Sequence, residues 1–105
     1  MKRPIFSYYK PKHVGLLLNM PPHLVSRLAY DIESKYPYRF PKSSLGSYQF
    51  QKSDIYLIRA YAIVLSRTQD KEYALLEIAD KLEEVQKKEY PDWFNHIQQK
   101  NLPIL

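Results

Sequence analysis

The chain has 105 residues, of which 45% are apolar, carries a net charge of +5 and contains no cysteine. That length supports one core and no second one, and no apolar run approaches the ~20 residues of a membrane-spanning helix. The lack of cysteine excludes disulfides, thiolate chemistry and cysteine-ligated zinc, and fits a reducing cytoplasm.

The charge is unevenly spread. Residues 1–67 hold 11 Lys+Arg against 3 Asp+Glu, a balance of +8, whereas residues 68–105 hold 5 against 8, a balance of −3. A basic first part followed by an acidic last part points to a polyanion-binding region and a segment with a different partner. The plain alternative is a solvated surface of mixed charge. The N-terminus is basic, but no long apolar stretch follows it, so no signal peptide is expected.

In chain order, residues 1–9 read as an extended arm that Phe6, Tyr8 and Tyr9 could anchor. Pro11 suits a first helical position, and a short helix over 12–19 follows with Val14, Leu17 and Leu18 on one face; Gly15 lowers its helical propensity. Met20-Pro21-Pro22 breaks it and opens the next helix, 22–36, whose Leu24, Val25, Leu28, Ala29 and Ile32 form one buried stripe. Tyr36-Pro37 ends that helix. Residues 38–41 read as extended and are expected to pair with 47–51 across a turn at Gly46, because Tyr48 and Phe50 alternate with polar neighbours. Ser53 is expected to cap a third helix reaching 66–69, with Asp54 in its positive first turn. A fourth helix is expected over 70–89, with Leu75, Ile78, Leu82 and Val85 spaced as an a/d seam. A short helical segment over 92–100 carries Trp93, Phe94 and Ile97. The expectation is a single domain over 1–105: an arm (1–9), a core (10–68) and C-terminal helices (69–105).

The candidate chemistry lies on the second helix. Its polar face presents His23, Ser26, Arg27 and Tyr30, and a DNA major groove admits one α-helix whose arginine and polar side chains reach base edges. Lys10 and Lys12 precede it and are placed to hold phosphates. The plain alternative for this pair is two packed helices with a solvated outer face.

The run Gly46-Ser47-Tyr48-Gln49-Phe50-Gln51-Lys52-Ser53-Asp54-Ile55, followed by apolar Ile58, Ile63 and Leu65, resembles the MerR-like winged helix-turn-helix family. The nearest form is the chromosome-anchoring RacA type of wing, Leu-Gly-x-Tyr-x-Phe. The short first helix, the Met20–Pro22 turn and the helix from His23 fall in the family's order, so the resemblance spans about residues 8 to 82. It implies a mainly α winged helix-turn-helix fold with a small two-stranded β-hairpin wing and C-terminal helices. It also implies duplex-DNA binding, with Lys42, Ser43, Ser44 and Tyr48 of the wing, and Arg39 at its base, on the flanking backbone. Tyr48 stands where such wings carry an arginine, and a tyrosine hydroxyl can still donate to a phosphate. Ser26 stands where the family's recognition helix usually carries arginine, with Arg27 beside it. Cysteine-rich sensor loops have no counterpart here.

Other classes remain in view. A protein-interaction adaptor, antirepressor or inhibitor could use the same scaffold, with the acidic C-terminal helices as a surface for a partner. Ten tyrosines interleaved with cations also fit stacking on single-stranded nucleic acid, although Tyr56, Tyr61 and Tyr73 fall on apolar helical faces and read as half-buried. Leu75, Ile78, Leu82, Val85, Trp93 and Phe94 predict a homodimer interface; the competing expectation is that this tail folds back on the core. His13, His23 and His96 have no metal-ligand spacing. The row Glu77, Asp80, Glu83 and Glu84 reads as a solvated face. No catalytic constellation and no cofactor is expected.

Overall fold

A computed structural model describes residues 8–87. Five helices follow in order: α1 (Pro11–Leu18), α2 (Pro22–Lys35), α3 (Lys52–Thr68), α4 (Lys71–Glu77) and α5 (Ala79–Lys87). Prolines open α1 and α2, where a missing N–H costs nothing. Asn19, at φ 60°, closes α1, and the Met20 N–H returns to the Gly15 carbonyl at 2.9 Å. Gln69, at φ 55°, closes α3 in the same left-handed way. Both are asparagine-type side chains or their homologue at a position glycine usually fills.

Gly15 has a packing reason to be glycine. A Cβ at this position would lie 2.5 Å from the Met20 carbonyl oxygen, so the α1–α2 turn can fold onto α1 only over a bare backbone. The helix loses some propensity there, and in return the turn seats closely.

The core is one cluster. The predicted stripe of α2 is in it, with Val25, Leu28, Ala29 and Ile32 buried and Leu24 half-buried against them. α3 lies centrally, packed against α2, α4 and α5, and buries Ile55, Tyr56, Leu57, Ile58 and Tyr61 within its first three turns. Tyr9, from the arm, is also core.

The expected β-hairpin does not form: among the described residues there is no strand and no sheet. Residues 42 and 48 meet in one isolated bridge, with the Ser43 N–H on the Ser47 carbonyl at 2.8 Å and the Gln49 N–H on that of Pro41 at 2.9 Å. Phe50 pairs instead with Tyr9, each N–H donating to the other's carbonyl at 2.7 and 2.8 Å. The ladder stops for want of donors. Pro41 has no N–H, and the Gln51 N–H, the next donor in this register, goes to the Asp54 carboxylate at 2.8 Å. The 37–51 segment is therefore an ordered loop, and the winged fold with its two-stranded hairpin is corrected to an all-helical domain.

Two further expectations change. Ser53 is not the cap of α3; the helix begins at Lys52, and Asp54 reaches back to accept the Gln51 N–H at 2.8 Å. The single helix over 70–89 is two, broken at Ile78 (φ −88°, ψ 7°). No glycine or proline sits there, and Ile78 itself is buried. Asp70 caps α4 by accepting the Tyr73 N–H at 3.1 Å.

Tyrosine hydroxyls tie the elements together. Tyr61 of α3 donates to Asp31 of α2 at 2.9 Å, Tyr56 of α3 to Glu84 of α5 at 2.7 Å, and Tyr36 to the Leu75 carbonyl of α4. Tyr73, expected half-buried, is exposed and donates to Glu77 on its own helix.

Two outcomes follow. Gly15→Ala forces the turn outward and should cost about 1–3 kcal/mol, read as a lowered Tm in thermal unfolding. Burial, then the hydrogen bonds to Glu84 and Asp31, push Tyr56 up to about 12 and raise Tyr61 further. Both hydroxyls stay protonated in the folded chain at a pH where the unfolded chain ionises them. Stability should therefore hold up to pH ~10 and fall as pH rises beyond it, and Tyr61→Phe should reduce that fall in denaturant titrations.

Candidate nucleic-acid interface

The polar face of α2 forms as expected. His23, Arg27 and Tyr30 are exposed, Tyr30 at 63%, and Ser26 is half-buried between them. Beside this face runs a cleft of about 730 Å³, lined by Lys10, Pro11 and Lys12 of α1 and its approach, Ser26 of α2, and Ser43, Leu45, Gly46, Ser47, Tyr48 and Gln49 of the loop. Lys10, Lys12, Ser26, Ser43 and Tyr48, separated in sequence, are thus brought to one place. Ser44 is exposed at the loop tip.

Arg39 and Lys42 do different work from that expected. One Arg39 nitrogen donates to the carbonyls of Glu33, Tyr36 and Tyr38 at 3.0, 3.2 and 3.1 Å. It closes the C-terminal end of α2, where free carbonyls and the helix dipole favour a cation. Lys42 pairs with Glu33 at 3.0 Å and lies 4.6 Å from the centre of the Tyr48 ring.

Tyr48 is the largest correction within the site. Its hydroxyl donates to Glu33 at 2.9 Å, and its ring stacks on Phe50 at 5.1 Å. The donor expected to reach a phosphate is spent inside the chain. Burial and the adjacent Glu33 charge hold Tyr48 strongly in its protonated form.

Glu33 is the residue that sequence reasoning missed. Its side chain is only 10% exposed and accepts from the Phe40 N–H, the Lys42 ammonium and the Tyr48 hydroxyl. Burial alone would raise its pKa. The Phe40 N–H, then Lys42 and Tyr48, outweigh burial and hold the carboxyl below its usual value. No local pattern marks it, because its partners lie 7, 9 and 15 residues downstream.

Asp31, Glu33 and Asp54 are the only carboxylates in residues 8–67. Asp31 is 7% exposed and Asp54 is fully buried, so all three are withdrawn from the surface. Asp31 takes the Tyr61 hydroxyl and Lys71 at 3.5 Å; Asp54 takes the Tyr38 hydroxyl and the Gln51 N–H. Lys10, Lys12, Arg27 and Lys35 consequently face solvent on a surface to which this part of the chain contributes no exposed acid. The sequence balance of +8 gave the sign and not this separation.

His13, on α1, has a buried Nδ1 with no hydrogen-bond partner, and burial, then Lys12 and Lys10, lower its pKa. Among the described residues no three His, Asp or Glu converge as metal ligands, and no helix is long and apolar enough to cross a membrane. Leu75, Ile78, Leu82 and Val85, expected at a dimer seam, are buried in the chain's own core, the competing expectation. Trp93, Phe94 and the segment 92–100 lie outside the described residues. Searches of protein-family models, curated proteins and solved structures find no match, so the site's own chemistry carries the functional reading.

Removing the Glu33 carboxylate should free the loop. Glu33→Ala leaves three donors without their acceptor and should cost about 2–3 kcal/mol. Because the folded-state pKa is depressed, the part of this stabilisation that depends on the charge is complete above the unfolded value near 4.5 and is lost as pH falls through the folded one. Urea unfolding should therefore separate wild type from Glu33→Ala most at neutral pH and narrow the difference in acid.

Proposed function

We propose that this chain binds double-stranded DNA. α2 enters the major groove with His23, Arg27 and Tyr30 toward base edges, and the cleft between α1 and the 43–49 loop takes the neighbouring phosphates through Lys10 and Lys12. The observation that carries this reading is the cleft itself. It gathers two lysines and Ser26 beside an exposed polar helix face, where every nearby carboxylate of the basic segment is turned inward. Phosphate contacts position the protein and the helix face selects sequence.

The order helix, turn, helix, loop, helix supports the MerR-like resemblance without its hairpin. We read the protein as a non-enzymatic regulator or DNA-architectural factor. Its lack of cysteine favours the cytoplasm. No homodimer through the Leu75, Ile78, Leu82 and Val85 seam enters this proposal, because the core already occupies it. A second reading, contact with a protein partner, draws on Leu76 and Tyr73, exposed on α4 between acidic residues; a pull-down set beside a duplex-binding assay separates the two.

Selection of bound sites from random duplex DNA, followed by anisotropy titrations across salt, tests the proposal. Lys12→Ala should weaken binding to all duplexes alike and reduce the salt slope by about 1. Arg27→Ala should cost about 1–3 kcal/mol on the selected site and little on others. Absence of duplex binding, or binding insensitive to salt, refutes it.

A further inference from the structure

The tip of the 43–47 turn combines three properties that its neighbours lack. It is narrow, since Ser43, Ser44, Gly46 and Ser47 carry small side chains or none. It is built from within: the Ser43 hydroxyl accepts the Leu45 and Ser47 N–H groups at 3.3 and 3.2 Å, and the Ser43 carbonyl accepts the Gly46 N–H at 2.9 Å. It also presents one large apolar group. Leu45 is 92% exposed, against 69% for Leu16 and 63% for Tyr30.

Gly46, at φ +91°, makes this shape possible. A Cβ there would meet nothing within 4 Å, so the backbone beside Leu45 lies open on that side. A leucine that packs on nothing in its own chain, at the end of a slim turn held by side-chain hydrogen bonds, is shaped to enter something narrow. The minor groove is only about 6 Å wide. Apolar side chains delivered into it pry apart base steps and kink the duplex by about 20–90°. The turn lines the same cleft as Lys10 and Lys12, so phosphates held there bring a groove edge to the tip.

We infer that Leu45 is a wedge that inserts between base pairs in the minor groove and bends the DNA, an inference that rests on the duplex-binding reading above. The turn's hydrogen bonds hold the leucine forward, and the two lysines anchor the strand beside it. Because unstacking is cheapest at pyrimidine–purine steps, the wedge selects sites with a TA or CA step under the loop, at a position the protein reads through deformability and not through base hydrogen bonds.

The test uses the full chain with end-labelled duplexes carrying a central TA step or an A-tract. Energy transfer between the ends reads the bend, and 2-aminopurine at the step reads unstacking. Wild type should bend the TA duplex and raise 2-aminopurine fluorescence. Leu45→Ala and Leu45→Ser should bind with the Lys12-dependent salt slope intact, lose the bend and the fluorescence rise, and lose on the order of tenfold in preference for the TA duplex. Leu45→Met should restore all three. Circular dichroism melts should match wild type, since Leu45 is exposed. Wild-type binding without bending, or equal bending by wild type and Leu45→Ala, overturns the wedge and leaves duplex binding standing. No binding of wild type to either duplex overturns both.

Discussion

Each of the three carboxylates in the basic part of the chain takes one tyrosine hydroxyl from a different element: Asp31 from Tyr61, Glu33 from Tyr48, Asp54 from Tyr38. These pairs join α2 to α3, α2 to the loop, and the loop to α3. Burying a carboxylate is costly unless donors replace its water. A tyrosine supplies the donor and a ring that packs, so one side chain meets both needs. The balance differs among the pairs. Glu33 gains three donors, one cationic, and its charged form wins over burial. Asp54, wholly buried with a tyrosine and one N–H, loses to burial, and its pKa is raised. Glu33 is thus a net holder of the loop at neutral pH, while Asp54 is closer to a packing compromise at the start of α3.

The same arrangement explains which parts of the structure the sequence could reveal. Prolines at 11 and 22 and the stripe from Leu24 to Ile32 are local signals, and α1 and α2 lie where they were expected. The alternation of Tyr48 and Phe50 is also real, but a ring cluster produces it without a ladder. Phe40 meets Tyr48 and Phe50 edge-on at 6.2 and 5.6 Å. Period-2 patterning reports that one face is buried; it does not report where the backbone donors go. Pro41 brings no donor to the pairing, and the Gln51 N–H that could have continued it is claimed by the Asp54 carboxylate of α3. Likewise the spacing of Leu75, Ile78, Leu82 and Val85 marks a buried stripe and is silent about what buries it. Gly15 looked like a propensity loss because its use depends on a carbonyl five residues later.

For the candidate site the residue types were legible and their roles were not. Lys10, Lys12 and Ser26 converge as their positions in helix and turn allow. The resemblance to a winged domain places Tyr48, Lys42 and Arg39 on DNA, yet each is drawn toward Glu33 or the end of α2. A sequence reading treats every cation as available. In the folded chain, availability depends on which acids are near, and that is a tertiary property.

Withdrawal of the acids also links fold to function through dielectric. Ion pairs and charge-assisted hydrogen bonds that are largely buried are screened little by salt, whereas the field of exposed lysines is cut within a Debye length of about 8–10 Å. The buried tyrosine–carboxylate pairs and the exposed cations therefore respond differently to one variable. Raising salt weakens attraction between the Lys10–Lys12 cleft and a polyanion while leaving the loop docked on α2. Acid has the opposite selectivity: it protonates Glu33, frees Lys42 and loosens the loop, while the lysines keep their charge. A surface built this way would release the duplex proposed above without losing its shape, because the charges that would attract it and the charges that maintain the fold are on different sides of the protein boundary.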